Sequence, residues 1–326
     1  MGIMEFVIIG IVELIKYLIS ERKINMKKNN VKIDWKNVDE KSIKMNSPFS
    51  VYPGEFMERN RPTFPRRIDL NRLQVEIILA VEKFLVLTSR LITTYLNNKG
   101  FVCDQKTVQK EILCLSENSY LNKYTIRSSK ESSRASYKVY TIGRKGIGFI
   151  FYTYNRYVEK VNYIEKCTVS QIKKILSSNQ VLIEMNFMNK SEVYVAKMVV
   201  DEGFHLIGNN NLFRASGRVE DEKNILIIEP VRNEADFDIT LIHKLKRIKK
   251  TLLSKKCNID TTKKITILIV AESIMMMQQL INIVDENDYV NVNIKYSYDT
   301  LFVNETKNKF YKKSKDLKRA ECLIAI

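Results

Sequence analysis

Apolar residues between positions 69 and 154 recur at helical spacing and then give way to strand-like runs. Steps of three and four residues place them along one face of each of three predicted helices. The inward positions are Leu73, Ile77, Val81 and Phe84 in the first helix, Leu91, Ile92, Tyr95 and Leu96 in the second, and Val108, Ile112 and Leu115 in the third. Thr88 or Ser89 can cap the second helix and Asp104 the third, while Gly100 stands just past the second. The pattern predicts three short helices that pack together.

Two strand-like segments follow, at residues 120–127 and 137–142, separated by the basic loop SSKESSRAS. Three helices and then a hairpin is the element order of a winged helix-turn-helix domain, which we expect over residues 69–154. The next glycines, in YTIGRKGIGFI, lack the following lysine and hydroxyl of a P-loop and the spacing of a Rossmann loop. This segment is instead predicted to turn into a helix that packs through Ile147, Phe149 and Ile150.

After Cys167 the pattern predicts a second domain, over residues 167–303, joined to the first by a linker at 155–166. The expected elements are a helix at 169–188, strands at 192–201, 211–219 and 224–230, a helix at 237–256, a strand at 265–270, a further helix, and a strand at 289–296. The apolar run ITILIV suits a central strand that is covered on both faces. The expected fold class is therefore a two-domain α+β and α/β protein, with a winged helix followed by a mixed-sheet domain.

Three flanking segments lie outside these domains. Residues 4–19 are apolar but contain Glu5, Glu13 and Lys16, so a membrane-spanning helix is not expected. Two alternatives stay open for residues 1–25: an amphipathic helix on a membrane or a partner, or an untranslated stretch upstream of a true start at Met26. Residues 26–68 hold four of the five prolines and are predicted to form an extended polar arm. Residues 304–326 are predicted to be a basic tail.

The balance of charge favours a polyanionic partner. The chain of 326 residues has 54 Lys and Arg against 37 Asp and Glu, a net charge of +17. Double-stranded DNA is the first candidate, and an anionic membrane contacted weakly through residues 4–19 is the second. The alternative explanation is an AT-rich coding sequence, which makes lysine and asparagine abundant. Five widely spaced cysteines and two histidines lack zinc-site spacing, so we expect no metal, no cofactor and a cytoplasmic location, with peripheral membrane attachment left open.

The third predicted helix carries amides and lysines on the face opposite its apolar stripe. Amide side chains can pair with adenine edges, and lysines can reach phosphates. The predicted DNA contacts are Gln105, Lys106, Gln109 and Lys110 on this helix, Arg127, Lys130, Arg134 and Lys138 on the hairpin, and Lys246 and Lys250 in the second domain. Winged helices also serve as protein-interaction modules, and a homodimer stays open.

Residues 211–233, NLFRASGRVEDEKNILIIEPVRN, resemble the catalytic hairpin of a metal-dependent nuclease in which one acid is replaced. Glu229 is the candidate catalytic residue, and Ser216 stands where the first acid is expected. A divalent cation needs several oxygen ligands, which one carboxylate does not supply. A tight turn at 221–222 would pair Ser216 with Ile227 and bring it within about 7 to 8 Å of Glu229. Geometry would then allow a shared metal, and the missing acid makes the centre vestigial.

The order of these elements, together with the motifs YTIGRKGIGFI, RASGRV and IIEPVR, resembles the replication-relaxation family of plasmids and integrative elements. The likeness covers roughly residues 69–300, and the family's second domain is similar to the PD-(D/E)XK nuclease fold. Members often carry an arginine, proline, aspartate run where this chain has Arg214, Ala215 and Ser216, and a glutamate strand where it has Glu229. The resemblance implies an association with DNA replication, relaxation or mobilisation.

The expected function is that of a non-enzymatic DNA-binding protein of a mobile element, with a degenerate nuclease-like domain. One alternative is an active endonuclease that uses Mg²⁺, in which Glu229 joins Asp201 or Glu184. Another is a winged-helix transcriptional regulator, which would bind promoters in place of a replication or transfer origin.

Overall fold

The computed structural model describes residues 47, 49–52, 54–60, 69–128, 137–158, 164, 167–186, 192–195, 204–208, 211–215, 217–220, 222–252, 262–284, 292–302, 310–313 and 320–323. The predictions for residues 1–25, for most of the arm and for the linker at 159–163 fall outside these ranges. The described residues form a mixed α/β structure with a three-stranded antiparallel sheet, a seven-stranded mixed sheet and a two-stranded ribbon.

The first three helices form where the apolar spacing predicts them: α1 (Arg72–Phe84), α2 (Ser89–Asn98) and α3 (Gln105–Glu117). A side-chain oxygen accepts a hydrogen bond from a first-turn amide at each N-terminus, from Asn71, Thr88 and Asp104 in turn. Such caps satisfy amides that lack a partner within the helix. Gly100, with a φ of +86°, reverses the chain after α2 in a conformation that side chains disfavour.

The predicted hairpin consists of β2 (Leu121–Ser128) and β3 (Tyr137–Ile142), and it leads directly into α4 (Arg144–Tyr154). Burial of Ile150 in α4 confirms that this helix packs back onto the hairpin region. A third strand, β1 (Glu55–Asn60), pairs antiparallel with the free edge of β2. β1 belongs to the segment that the sequence predicts as an extended polar arm. Its sequence, EFMERN, gives no strand signal because most of its residues are polar.

The large sheet has the strand order β12-β11-β10-β9-β8-β7-β4. Its centre is parallel and consists of β8 (Asn224–Pro230), β9 (Lys264–Ala271) and β10 (Val292–Tyr298). Antiparallel strands flank it: β7 (Gly217–Glu220) and β4 (Glu192–Val195) on one side, and β11 (Phe310–Lys313) and β12 (Ala320–Leu323) on the other. Part of the predicted basic tail thus extends the sheet.

Helices α6 (Phe237–Leu252) and α7 (Ile274–Ile283) connect the parallel strands, which need a crossover of this kind. A further helix, α5 (Val169–Glu184), precedes β4. A short 3₁₀ helix (Asp299–Phe302) ends β10. All residues of β9 from Ile265 onward are buried, which confirms the prediction of a central strand covered on both faces.

The predicted strand at 211–219 is wrong as a single element. β6 (Asn211–Ala215) pairs with β5 (Phe204–Gly208) in the separate ribbon, whereas β7 joins the large sheet. The register also differs by two residues from the expected one. Ile227 lies opposite Arg218, and Glu220 opposite Ile225, so the turn contains four residues where two were expected. Ser216 lies between the two strands, outside the described residues.

Two hydrophobic cores cover the two faces of the large sheet. Because strand side chains alternate between faces, Ile225 and Ile227 of β8 pack against α6 and α7, whereas Leu226 and Ile228 face α5. The core on the α5 side continues without a break into α1–α3 and the hairpin. The regions predicted as two domains therefore share one apolar core, with α5 between them.

A buried amide joins the two regions. Asn179 of α5 is fully buried, and its Nδ2 donates to the carbonyl oxygens of Phe84 and Val86, at 2.9 Å each, in the connection between α1 and α2. Arg90 of α2 adds an ion pair with Glu184 at 2.7 Å. These contacts fix α5 against the three helices.

We expect Asn179→Ala to lower the free energy of unfolding by about 2 to 3 kcal/mol, because two buried carbonyls lose their donor. Urea denaturation followed by circular dichroism measures the change. Gln279→Ala, at an exposed position of α7, is the control and should stay within about 0.5 kcal/mol of the wild type. Equal stability of the two variants would contradict this role for Asn179.

Candidate nucleic-acid interface and the Glu229 pocket

One face of α3 is polar and exposed. Gln105, Lys106, Gln109 and Lys110 are all exposed, whereas Val108 and Ile112 on the opposite face are buried. The amide nitrogens of Gln105 and Gln109 both lie within hydrogen-bond distance of the Ser89 hydroxyl, at 3.3 and 3.4 Å. Ser89 opens α2, so it orients both amides on the surface. Their carbonyl oxygens and second N–H groups stay on the exposed side.

The outer face of the hairpin carries a second group of cations. Lys123, Thr125 and Arg127 occupy every second position of β2 and therefore point to the same face. Lys138 of β3 lies opposite Thr125, so the three cations Lys123, Arg127 and Lys138 share that face. Burial and the nearby charge of Lys138 lower the pKa of Lys123. Arg127 is half-exposed and forms an ion pair with Glu58 of β1 at 3.3 Å. Lys123, which the sequence interpretation missed, belongs to this basic face.

The remaining predicted contacts do not join these two groups. Lys246 is exposed on α6, which packs on the face of the large sheet that is opposite to α1–α3. Lys130 and Arg134, and the side chain of Lys250, lie outside the described residues. The structure thus brings together the four α3 residues, and separately Arg127 with Lys138, and it places Lys246 on another side.

Glu229 is buried near the end of β8, and its carboxylate forms an ion pair with Lys244 of α6. Nearby, Lys174 and Glu234 form a second ion pair at 2.5 Å. Burial alone would raise the pKa of Glu234, but the hydrogen bond and charge of Lys174 outweigh it and the pKa is lowered. All four side chains line a cavity of about 30 Å³. That volume is enough for about one water molecule and is too small for a phosphate group.

The described residues of this pocket do not fit a divalent metal ion. Magnesium requires six oxygen ligands in near-octahedral order, of which several are commonly waters. Here each carboxylate is already paired with a lysine, and the described residues contain no group of three metal-ligating side chains. Of the acids considered as partners for Glu229, Glu184 is bound to Arg90 and Asp201 lies outside the described residues.

Next to this pocket, a buried ion pair lies at the carboxyl ends of the parallel strands. Arg232 follows β8 and Asp299 follows β10, and both are fully buried. The guanidinium donates to both carboxylate oxygens, at 2.8 and 3.1 Å. Ser177 of α5 donates to the same carboxylate at 2.7 Å, and Ser47 donates to its other oxygen. A buried carboxylate is tolerated when its oxygens are bonded in this way.

Two further charges complete what we call the edge cluster, which consists of Lys173, Arg232, Glu272 and Asp299. Burial lowers the pKa of Lys173, although its ion pair with Glu55 at 2.6 Å opposes the shift. Burial also raises the pKa of Glu272, in spite of hydrogen bonds that its Oε1 accepts from backbone amides.

The chain itself closes this edge. Glu272 accepts from the Val51 amide at 3.0 Å, Lys173 donates to the Ser50 carbonyl oxygen, and Phe49 is buried. In open α/β sheets, ligands bind at the carboxyl ends of the strands. Residues 47 and 49–52 occupy that position here, so the edge cluster is a closed structural junction.

The sequence contained a signal for the edge cluster that the interpretation did not use. Arg232, Glu272 and Asp299 each lie within two residues of the end of an apolar or aromatic strand. Carboxyl ends of parallel strands meet at one edge of a sheet, so three charges at those positions are expected to lie together. The sequence of the segment that leads into β1 did not indicate that this segment covers the edge of the sheet.

Comparison with models of protein families, with curated proteins and with solved structures finds no match for this chain. Within the described residues, every helix is too short or too polar to cross a bilayer.

We expect Asp299→Asn to cost about 3 to 5 kcal/mol of unfolding free energy, because it leaves the Arg232 guanidinium buried without its counter-charge. Replacing both residues, as Arg232→Met with Asp299→Leu, should cost less than the sum of the single changes. Urea denaturation of Asp299→Asn, of the single variants Arg232→Met and Asp299→Leu, and of the double variant measures this. Glu58→Gln, which removes the exposed pair with Arg127, is the matched control and should cost less than about 1 kcal/mol. Additive losses would show that the two side chains act independently.

Proposed function

We propose that this protein binds double-stranded DNA through α3 and the β2–β3 hairpin, and that it does not cut it. The observation that carries the proposal is the division of α3 into a buried apolar face and an exposed face of two amides and two lysines. An α-helix fits the major groove, where amides can pair with adenine edges and lysines can contact the backbone. The net charge of +17 supports the same partner.

The arrangement around α3 supports a winged helix. A backbone pair joins Leu87, between α1 and α2, to Tyr140 of β3, with N···O distances of 3.1 and 2.8 Å. This short bridge fixes α2 and α3 relative to the hairpin. The outer hairpin face, with Lys123, Arg127 and Lys138, then acts as the wing. Its cations would contribute affinity and salt dependence, and the amides of α3 would contribute choice of sequence.

The state of Glu229 supports a role without catalysis. Its carboxylate is buried and paired with Lys244, and the adjoining cavity of about 30 Å³ does not admit a phosphate. The second domain then serves as a scaffold that holds α5 against the DNA-binding region. The family resemblance noted in the sequence supports a role in replication, relaxation or mobilisation of a mobile element.

Reversing both lysines of α3, as Lys106→Glu with Lys110→Glu, should weaken binding to duplex DNA at least tenfold at about 0.1 M salt. The slope of log K against log salt concentration should also fall by roughly two, because two phosphate contacts are lost. Fluorescence anisotropy with labelled duplexes at several salt concentrations measures both.

The matched control is Lys246→Glu with Arg247→Glu. This pair makes the same change in net charge at exposed positions of α6, on the other side of the large sheet. We expect a much smaller effect on binding. Equal losses for the two double variants would mean that DNA contact follows overall charge and not the α3 face, and would overturn the assignment of the interface.

Supercoiled plasmid incubated with the protein and Mg²⁺ or Mn²⁺ should stay intact, because Glu229 is paired with a lysine beside a cavity that is too small for a phosphate. Agarose gel electrophoresis shows the topology of the plasmid. Glu229→Ala distinguishes intrinsic activity from a contaminant. Nicking by the wild type that this variant abolishes would overturn the non-catalytic proposal and favour the endonuclease alternative.

A further inference from the structure

The C-terminal half of α4 and the residues after it carry a large exposed aromatic surface. Every residue from 151 to 157 is exposed. The exposed fractions are 46% for Phe151, 86% for Tyr152, 46% for Tyr154 and 72% for Tyr157. Together these amount to about two and a half whole side chains, or roughly 500 Å² at about 200 Å² each. A patch of that size is at the upper end for a monomer and commonly marks a contact surface.

The packing of α4 accounts for one of its two glycines but not for the other. A side chain at Gly146 would clash with the carbonyl oxygen of Tyr120, so the packing of α4 on the hairpin requires this glycine. At Gly148, an added Cβ would meet nothing within 4 Å. Glycine disfavours a helix, so a glycine with open space around it is not explained by the fold. Gly148 shares a helix face with Phe151 and Tyr152, three and four residues later. This face combines a shallow gap with two exposed rings.

The basic residues of α4 lie at the end of the helix where the helix dipole disfavours positive charge. Arg144 and Lys145 lie in the first turn, where the helix end is positive, and Gly143 offers no side-chain cap. The last turn has no basic residue. A second α4 packed antiparallel would bring each Arg144 to the negative C-terminal end of the other helix. The face is thus complementary to itself, which a two-fold symmetric contact requires.

We propose that α4 is a dimerisation helix, on which a second copy of this chain packs antiparallel, with the aromatic rings of each copy seated over Gly148 of the other. Burial of the patch on both copies removes roughly 1,000 Å², near the lower limit for a specific interface. Interfaces at this lower limit are commonly weak and transient, so we expect a reversible dimer in the micromolar range.

Single-stranded nucleic acid fits the patch less well. Such sites combine aromatic rings with cations that follow the phosphates. Between residues 146 and 157, Arg156 is the one charged residue, and it is bound to Glu82 at 2.8 Å. Apart from Arg156, the patch carries no charge, so it suits a second copy, which the net charge of +17 would otherwise repel.

Sedimentation velocity of the full chain without DNA, from about 1 to 100 µM, tests the proposal independently of DNA binding. The wild type should pass from monomer to dimer over this range. Gly148→Leu should weaken the dimer at least tenfold while the melting temperature stays equal or rises, because the added side chain meets open space in the monomer. Tyr152→Ala should also weaken it. Met275→Ala, at an exposed position of α7, should leave the dimer unchanged.

Arg144→Glu separates an interface from a structural role. A glutamate suits the first turn of α4, so the monomer should be at least as stable, yet the dimer should weaken because a negative charge then faces the C-terminus of the partner helix. A wild type that stays monomeric at 100 µM would overturn the proposal. So would a Gly148→Leu variant that dimerises as well as the wild type.

Discussion

The buried pair of Arg232 and Asp299 is the interaction on which the rest of the structure depends. It connects the ends of β8 and β10, and its carboxylate also receives hydrogen bonds from α5 and from the segment that leads into β1. Removing two charges from water is costly, and the cost is recovered only when nearly every lone pair is bonded. The pair therefore requires four separate parts of the chain to be in place together. One polar centre between apolar layers thus fixes the relative positions of the sheet, α5 and the N-terminal segment.

This centre explains how α5 can join two differently built regions. The helix is buried over most of its length, yet it contains Lys173, Ser177, Asn179 and Gln180, all of which are buried. Each of these polar groups has a specific partner: Glu55, Asp299, the α1–α2 connection, and the backbone of Asp299. Rotation of the helix would break these buried hydrogen bonds, which favours the observed position. The position of α1–α3, and with it the exposed face of α3, follows from that constraint.

The sequence predicted the parts of the fold that depend on local signals. Helices α1–α3 have apolar stripes and capping residues, and β9 is an uninterrupted apolar run, so these were predicted close to their observed bounds. The register between β7 and β8 was not, because the length of a turn depends on pairing across the sheet and not on the residues of the turn alone. β1 was missed since its stabilisation comes from pairing with β2 and from the contact of Glu55 with Lys173.

In the candidate sites, too, the features that depend on local signals were predictable and those that depend on tertiary contacts were not. The α3 residues are exposed as expected, because the opposite face of an amphipathic helix follows from its stripe. The burial of Glu229 depends on Lys244, which lies on a helix some fifteen residues later and has no local signal that identifies its partner. That single pairing changes the interpretation of the hairpin from an exposed acidic site to a buried carboxylate paired with a lysine.

The hydrogen bond from Ser47 to Asp299 spans 252 residues of chain, and it has a consequence for how the protein assembles. During synthesis, residues 47–55 leave the ribosome long before the strand ends that they cover. Contacts of such long sequence separation form late, because the entropy of closing the chain is lost before the contact is gained. The α1–α3 region can fold early from local contacts, whereas the edge of the large sheet stays open until β10 is complete. We therefore expect the N-terminal segment to be inserted late in folding, and we expect a chain that is cut into its two apparent halves to lose this contact.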